Sequence, residues 1–225
     1  MILPPPGWKP PVLQTIVPSQ RTVVGVDLGF SRDHTAIAVL EEREFEAGFD
    51  AANWCKLWEK RTTVHHLERL PLRTSYLDAV ERVREVVESM SVAPDRTRLW
   101  EALPAPRAVV VDGTGVGMPV VQLLKQALQT MVVPVFITGG DTASRDGGAW
   151  RVPKREIVSN LQILLEQRKL KFPAGMAEAP ALIKEMQGMR VKVTALGNEQ
   201  FGCWREGEHD DLILAVGLGA WWLGN

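Results

Sequence analysis

Two short stretches of the sequence have the same form, an apolar run of mostly β-branched residues that ends on an aspartate, with a glycine close behind. They are residues 23–27 (VVGVD) and residues 108–112 (AVVVD). Uninterrupted apolar runs of this length are typical of strands that are buried on both faces of a sheet. A carboxylate at the end of a buried strand is costly unless it is paired or meets a cation. The two aspartates therefore favour a fold whose strand ends meet at a polar site.

Other predicted strands and helices alternate around these two runs. Residues 35–40 form a second apolar strand, so residues 21–40 are predicted to be a hairpin with Asp27 and Asp33 near its bend. The later alternation predicts a sheet with parallel members and helices packed on it. Further strands are predicted at residues 62–70 and 131–138 and a β-hairpin at residues 190–204, while residues 45–59 are ambiguous and residues 139–151 are predicted to be a loop.

The helices are predicted from caps and from apolar periodicity. Ser75 with Asp78 three residues later is a capping-box signature. The helix that follows carries one apolar stripe, made of Leu77, Val80, Val83, Val87 and Met90. Further helices are predicted at residues 120–128, at residues 153–169 with Pro153 in the first helical position, at residues 177–186, and from residues 208–211 to Trp221-Trp222.

The length of 225 residues fits one α/β domain with a sizeable core and is too short for two. Residues 1–20 hold six of the fifteen prolines and are predicted to be a tail or an interdomain linker, which leaves residues 21–225 as the folded domain. Two cysteines and four histidines make neither a disulfide framework nor a zinc-ligand spacing. Without a signal peptide or an apolar run of transmembrane length, a soluble intracellular protein is expected.

Charge is balanced over the whole chain but not along it. The chain has 26 basic and 27 acidic residues, so its net charge does not indicate nucleic-acid binding. Residues 145–192, however, contain ten Lys or Arg and five Asp or Glu, a local net charge of +5. A basic segment beside a carboxylate cluster would suit a polyanion that is held while metal ions act on it. Ordinary solvated helix faces account for the same charges equally well.

Aspartates at three places in the chain are candidates for one site. Asp27 and Asp112 end buried strands, and Asp210 and Asp211 are predicted in the first turn of the last helix, where the helix dipole favours negative charge. If they converge, three or four carboxylates meet with no evident cationic partner. Oxygen ligands select magnesium or manganese, and two such ions can hydrolyse a phosphodiester, as nucleases do.

Each of these residues also has a purely structural interpretation. Asp27 can bond nearby amides in a turn, Asp112 can shape the glycine loop behind it, and either aspartate of the pair at residues 210–211 can cap the helix. These explanations are weaker for the set than for any one residue. His209 is interpreted as a structural residue behind the metal ligands rather than as a ligand itself.

With these residues placed, the chain resembles the ribonuclease H-like nuclease domain of phage large terminases, which cut concatemeric viral DNA during genome packaging. The resemblance covers residues 21–225 in order. Its matching stretches are VVGVDLGFSRDHTAIAVL, AVVVDGTGVGMPVVQLL, VPKREIVSNLQILLEQRKLKFP and EHDDLILAVGLGA. It implies a central mixed sheet flanked by helices, with an extra β-hairpin near residues 190–204 in a position implicated in DNA handling.

The resemblance also implies site residues, cofactors and partners. Asp27, Asp112, Asp210 and Asp211 would bind two Mg²⁺ or Mn²⁺ ions, and Asp33 matches a further acidic position near the site. The substrate would be double-stranded DNA, cut with little sequence preference, and the partners would be a terminase ATPase domain, a small terminase subunit and a portal at the packaging motor in the host cytoplasm. Charge and position alone suggest the phosphate contacts Arg145, Arg151, Lys154, Arg155, Arg190 and Lys192.

A complete large terminase also carries an ATPase phosphate-binding loop, and the sequence has no GxxxxGK[ST] motif. The chain is therefore expected to be an excised nuclease domain or a free-standing relative. Three alternatives remain open. They are a Holliday-junction resolvase or transposase-like nuclease of the same fold, an actin-like or sugar-kinase type ATP-binding domain, and a non-catalytic DNA-binding or motor-docking module.

Overall fold

The computed structural model describes residues 19–31, 33–90, 103–115, 117–193, 199–202 and 209–225. Its centre is an eight-stranded mixed sheet, and a separate two-stranded sheet lies later in the chain. The strands are β1 Gln20–Asp27, β2 Ala36–Asp50, β3 Cys55–Arg69, β4 Ala108–Asp112, β5 Met131–Thr138, β6 Ser144–Asp146, β7 Ala149–Pro153, β8 Leu170–Lys171, β9 Arg190–Val193 and β10 Glu199–Gly202. The helices are α1 Tyr76–Ser89, α2 Gly117–Ala127, α3 Lys154–Glu166, α4 Ala179–Gly188 and α5 Asp211–Gly224.

The strand order places β1 and β4 side by side in the middle of the sheet. The order is β6-β7-β5-β4-β1-β2-β3-β8. Strands β1, β4, β5 and β7 run parallel, whereas β2 is antiparallel to both β1 and β3. The carboxyl ends of the four parallel strands consequently lie at one edge of the sheet, where sites form in open α/β folds. The predicted fold class, a mixed sheet flanked by helices, is confirmed.

Helices cover both faces of the sheet, and each face has its own core. One face packs against α3, α4 and α5 through strand residues such as Val23, Leu40 and Val110. The other packs against α1 and α2 through the alternate residues, Val24 and Val109 among them. This alternation follows from the period of two along a strand. The predicted apolar run of β1 is therefore buried on both sides.

Helix α5 lies unusually close to the sheet because its facing residues are small. A Cβ added at Gly25 of β1 would overlap the carbonyl oxygen of Ala215, and one added at Gly219 would overlap Leu40. On the opposite side, a Cβ at Gly217 would overlap Ile157 of α3. The small residues of α5 thus allow it to pack closely between the sheet and α3.

Several sequence predictions are confirmed at the level of single elements. Ser75 caps α1, with its hydroxyl accepting the Asp78 N–H at 3.1 Å. Strands β9 and β10 pair antiparallel and confirm the backbone of the hairpin predicted at residues 190–204. The ambiguous residues 45–59 extend β2 and β3 into one long hairpin that turns at residues 51–54. None of the helices in the described ranges has the length and apolarity needed to cross a bilayer.

Other predictions were wrong in detail. Residues 139–151 are not only a loop, since they contain β6 and most of β7, which pair antiparallel and add two strands to the sheet edge. Leu77 is 67% exposed and lies off the buried stripe of α1. Pro153 ends β7 and is the N-cap of α3 rather than its first residue. Residues 1–18, which include most of the predicted linker, lie outside the described residues.

Candidate metal centre

Asp27 and Asp112 lie side by side at the carboxyl edge of the sheet. Val26 pairs with Val111 in the parallel ladder between β1 and β4, so the residue after each is an aspartate on a neighbouring strand. Adjacent strands are about 4.8 Å apart. Asp27 shares the sheet face of Val23, four residues back, and Asp112 that of Val110, two residues back. This is the face covered by α5. Asp27 is 8% exposed.

The start of α5 brings Asp210 and Asp211 to the same edge. Asp211 is the first helical residue and is 2% exposed. Asp210 was predicted in the first helical turn but is the N-cap in the structure, and its side chain makes no capping hydrogen bond within the described residues. The carboxylate instead accepts a hydrogen bond from Lys154 Nζ at 2.6 Å. The structural interpretation of Asp210 as a side-chain cap is therefore wrong.

The electrostatics show that the aspartates share one environment. Burial raises the pKa of Asp27 well above its usual range, and the negative charges of Asp112, Asp211 and Asp210 raise it further, against the lowering effect of Lys154. Burial likewise raises the pKa of Asp112, although two hydrogen bonds from Thr114 and the charge of Lys154 oppose it. A cluster whose members resist ionisation in this way is stabilised by an added cation.

Asp33, His209 and Asp211 form a second group beside the first. One ligand atom from each lies within 4.8 Å of the others. Among the described Asp, Glu, His and Cys side chains, this is the group of three that comes so close together. His209 Nδ1 lies 3.8 Å from Asp211 Oδ2. The same nitrogen is buried and has no hydrogen-bond partner among the described residues. His209, interpreted from sequence as a structural residue, is thus placed where a ligand could stand.

Arg69 and Glu185 lie beside Asp211, and neither was predicted to be near the site. Arg69 forms an ion pair with Glu185 of α4, and its Nε lies 3.8 Å from Asp211 Oδ2. Glu185 Oε2 accepts the backbone N–H of Ile213 at 3.1 Å, which satisfies a free amide in the first turn of α5. Burial raises the pKa of Glu185 to about 7, and Arg69 and the Ile213 amide only partly oppose it. No local sequence pattern marks these contacts.

The expectation that the cluster lacks a cationic partner was wrong. Lys154 follows β7 directly and reaches Asp210, while Arg69 at the end of β3 reaches Asp211. Each cation faces a different aspartate of the adjacent pair. Burial raises the pKa of Asp211, whereas the charge of Arg69, the charge of His209 and the N–H of His34 lower it.

The other predicted phosphate contacts lie around this edge or away from it. Arg155 is bound to Asp141, with 3.1 Å between Nη2 and Oδ1, and Arg151 lies 3.6 Å from Asp146. Arg145 lies over the ring of Trp150, with its guanidinium carbon 5.8 Å from the ring centre. Arg190 donates to the carbonyl groups of Gln187 and Met189. The side chain of Lys192 is outside the described residues.

Comparison with known proteins gives matches in structure only. No protein-family model matches the sequence, and no curated protein is significantly similar to it. The large terminase nuclease from thermophilic phage G20c superposes with a TM-score of 0.57 and 19% identity, over 89% of this chain and 81% of the other. The chain has the ribonuclease H-like fold of a phage large terminase nuclease domain.

Two further structures of this fold extend the comparison. The G20c nuclease with bound magnesium matches with a TM-score of 0.55 and 20% identity, covering 89% of this chain and 80% of that one. The large terminase nuclease domain of Thermus phage P74-26 matches with a TM-score of 0.54 and 18% identity, covering 89% of this chain and 78% of that one. The predicted resemblance to terminase nuclease domains is therefore confirmed at the level of the fold.

Proposed function

We propose that this chain is a divalent-metal-dependent endonuclease that hydrolyses double-stranded DNA during viral genome packaging. The observation that carries the proposal is the convergence of Asp27, Asp112, Asp210 and Asp211 at the carboxyl edge of the sheet, where their charges act on one another. The terminase nuclease fold supports it, since a nuclease from phage G20c with this fold has been solved with bound magnesium and with bound cobalt.

The side chains present fit a hard divalent cation. Carboxylate oxygens predominate, and these are the ligands that Mg²⁺ and Mn²⁺ prefer. Asp33, His209 and Asp211, which meet the 4.8 Å distance, would hold the second of two ions. Asp27, Asp112 and Asp210, which do not meet it as a group of three among the described residues, would close around the first. The buried Nδ1 of His209 has no hydrogen-bond partner among the described residues and is available as a ligand for the second ion. When bound, the two ions would stabilise the negative charge that develops on the phosphodiester oxygens.

The chain's own groups would position the substrate around this centre. Strands β1 and β4 fix the separation of Asp27 and Asp112 because their register is set by a continuous buried ladder. Arg145, Arg151 and Arg155, on the β6–β7 hairpin and at the start of α3, would contact backbone phosphates, with Lys154 beside the carboxylates. Arg190 and Lys192 on the β9–β10 hairpin would contact a further stretch of DNA. Such contacts bind without reading sequence.

The same fold supports a proposed biological context. Residues 21–225 would be the nuclease domain and residues 1–20 a linker towards a terminase ATPase domain. A small terminase subunit and a portal would complete the motor in the host cytoplasm.

Cleavage of supercoiled plasmid by the purified chain tests the proposal. With Mn²⁺ or Mg²⁺, we expect nicked and linear products that disappear with chelator. Asp27→Asn removes one ligand charge without changing side-chain size, and should slow cleavage by at least about a hundredfold. Glu88→Gln, an exposed carboxylate on α1 at the opposite face of the sheet, is the matched control and should cleave as the wild type does.

Two results would contradict the assignment. Undiminished cleavage by Asp27→Asn would show that the carboxylate edge is not the active site. Absence of both cleavage and metal binding in the wild type would favour a non-catalytic DNA-binding or motor-docking module. Preference for a four-way junction over plasmid would instead indicate the resolvase alternative.

A further inference from the structure

Among the basic residues that the structure describes, Lys154 makes the most direct contact with the carboxylate cluster. Its Nζ lies 2.6 Å from Asp210 Oδ2, and the two side chains are 24% and 23% exposed. Its charge also opposes the raised pKa values of Asp27 and Asp112. The ammonium therefore acts on three carboxylates while forming an ion pair with one of them.

The backbone around Lys154 is held in place from both sides. Pro153 pairs with Thr138 in the ladder between β5 and β7, which fixes the residue before it. Two residues later, Glu156 accepts a hydrogen bond from Trp221 Nε1 of α5 at 2.8 Å. Ile157 packs against Gly217 of the same helix. The start of α3 is thus fixed against α5, the helix that Asp210 precedes, and only the flexible stem of Lys154 is free to move.

The ammonium and a divalent ion would compete for the same oxygen. A lysine ammonium is a compact point charge on a four-carbon stem, and Mg²⁺ approaches its ligand oxygens to about 2.1 Å. Two cations cannot occupy that position on Asp210 Oδ2 without strong repulsion. An ion that enters through this oxygen must therefore displace Lys154 Nζ.

We propose that Lys154 is a built-in competitor of the metal, a tethered cation that neutralises the Asp210 side of the cluster until a divalent ion displaces it. This rests on the proposed nuclease function and adds a regulatory role to that site. Lys154 sets the metal concentration at which the site fills, and its ammonium is released towards the substrate only when the ion is bound. Arg69 cannot play this part, because it is shared with the buried carboxylate of Glu185.

Calorimetric titration of Mn²⁺ into the wild type, Lys154→Met and Lys154→Gln tests the proposal without measuring catalysis. Loss of the competing charge should tighten Mn²⁺ binding by about threefold to tenfold. Lys154→Gln keeps a hydrogen-bond donor and should behave like Lys154→Met if charge is the cause. Lys171→Met, the same change on β8 at the far edge of the sheet, should stay within about twofold of the wild type.

Each outcome decides between the proposals. Unchanged or weaker Mn²⁺ binding in both Lys154 variants overturns the competitor role, even if the wild type binds metal and cleaves DNA. A wild type that binds no Mn²⁺ overturns the proposed function itself. A crystal structure with Mn²⁺ on Asp210 should show Nζ farther than about 3.5 Å from Oδ2. Retention of that hydrogen bond beside a bound ion would also overturn the competitor role.

Discussion

The two adjacent aspartates at the start of α5 are held in opposite ways. Asp211 is 2% exposed and meets the Arg69 guanidinium, the N–H of His34 and the ring of His209. Asp210, one residue earlier, is paired with the single flexible side chain of Lys154 and is partly open to solvent. Asp210 is the N-cap, with non-helical backbone angles, whereas Asp211 is the first helical residue, so the two neighbours can lie in different environments.

This difference separates a fixed side of the cluster from an exchangeable side. On the Asp211 side, Arg69 is tied to Glu185, and Glu185 is tied to the Ile213 amide, so α4, α5 and β3 meet at one buried ion pair. On the Asp210 side, one partly exposed ion pair joins two helix starts. A buried pair resists the loss of either partner, whereas a pair that solvent reaches exchanges at smaller cost.

The largest effect on stability is expected when the cation on each side of the cluster is removed in turn. Arg69→Met leaves Glu185 and Asp211 buried without their guanidinium, and should lower the free energy of unfolding at pH 8 in chelator by about 3–5 kcal/mol. Lys154→Met should lower it by at most about 1 kcal/mol. Urea unfolding measures both. Equal losses would show that the two sides are held alike.

A smaller effect is expected from the pH dependence of the fixed side. The pKa of Glu185 rises from 4.5 to about 7 on folding because the carboxyl is buried. The folded state therefore binds more protons than the unfolded state in this window, so stability falls as pH rises from 4.5 to 7. Glu185 alone should account for roughly 2 kcal/mol of that loss.

The matched variant isolates this contribution. Glu185→Gln keeps an oxygen that can accept the Ile213 N–H but no longer titrates. The difference in unfolding free energy between variant and wild type should grow from pH 4.5 to pH 7 and then level off. A constant difference across this range would mean that Glu185 stays ionised beside Arg69.

The parts of the site that could be predicted from the sequence are those that depend on a local pattern. Asp27 and Asp112 could be predicted as neighbouring site candidates because each ends a continuous apolar run, a pattern confined to a few neighbouring residues. The α1 cap was also predicted from local residue types, and the structure confirms it. Local patterns suffice where one strand or one helix decides the geometry.

The pairing of these cations with the carboxylates was missed because it joins distant parts of the chain. Lys154 was predicted only as a phosphate contact, and Arg69 was not predicted at all. Arg69 and Glu185 are 116 residues apart, and Lys154 and Asp210 are 56 apart. In the sequence, all of them resemble ordinary surface charges. Strand β8 has only two residues and is defined by its parallel pairing with β3, and β6–β7 lies in a segment rich in glycine and charge. Such features become visible only when the sheet order is known.

Asp27 is affected by both sides of the cluster and provides the finest test. Its pKa is raised by burial first and then by Asp112, Asp211 and Asp210. An acid whose pKa is raised on folding destabilises the protein once the pH exceeds its unfolded value, so Asp27→Asn should stabilise the metal-free protein by about 1 kcal/mol, or a Tm increase of about 2–4 °C. The gain should shrink as the pH falls towards 4.

Asp112→Asn should gain less stability than Asp27→Asn, because the Asp112 carboxylate accepts two hydrogen bonds from Thr114 that favour its charged form. Thermal unfolding in chelator measures both variants, and Mn²⁺ should reverse their order relative to the wild type by stabilising only the intact site. A lower Tm for Asp27→Asn at every pH would show that the carboxylate is held by contacts rather than repelled by its neighbours.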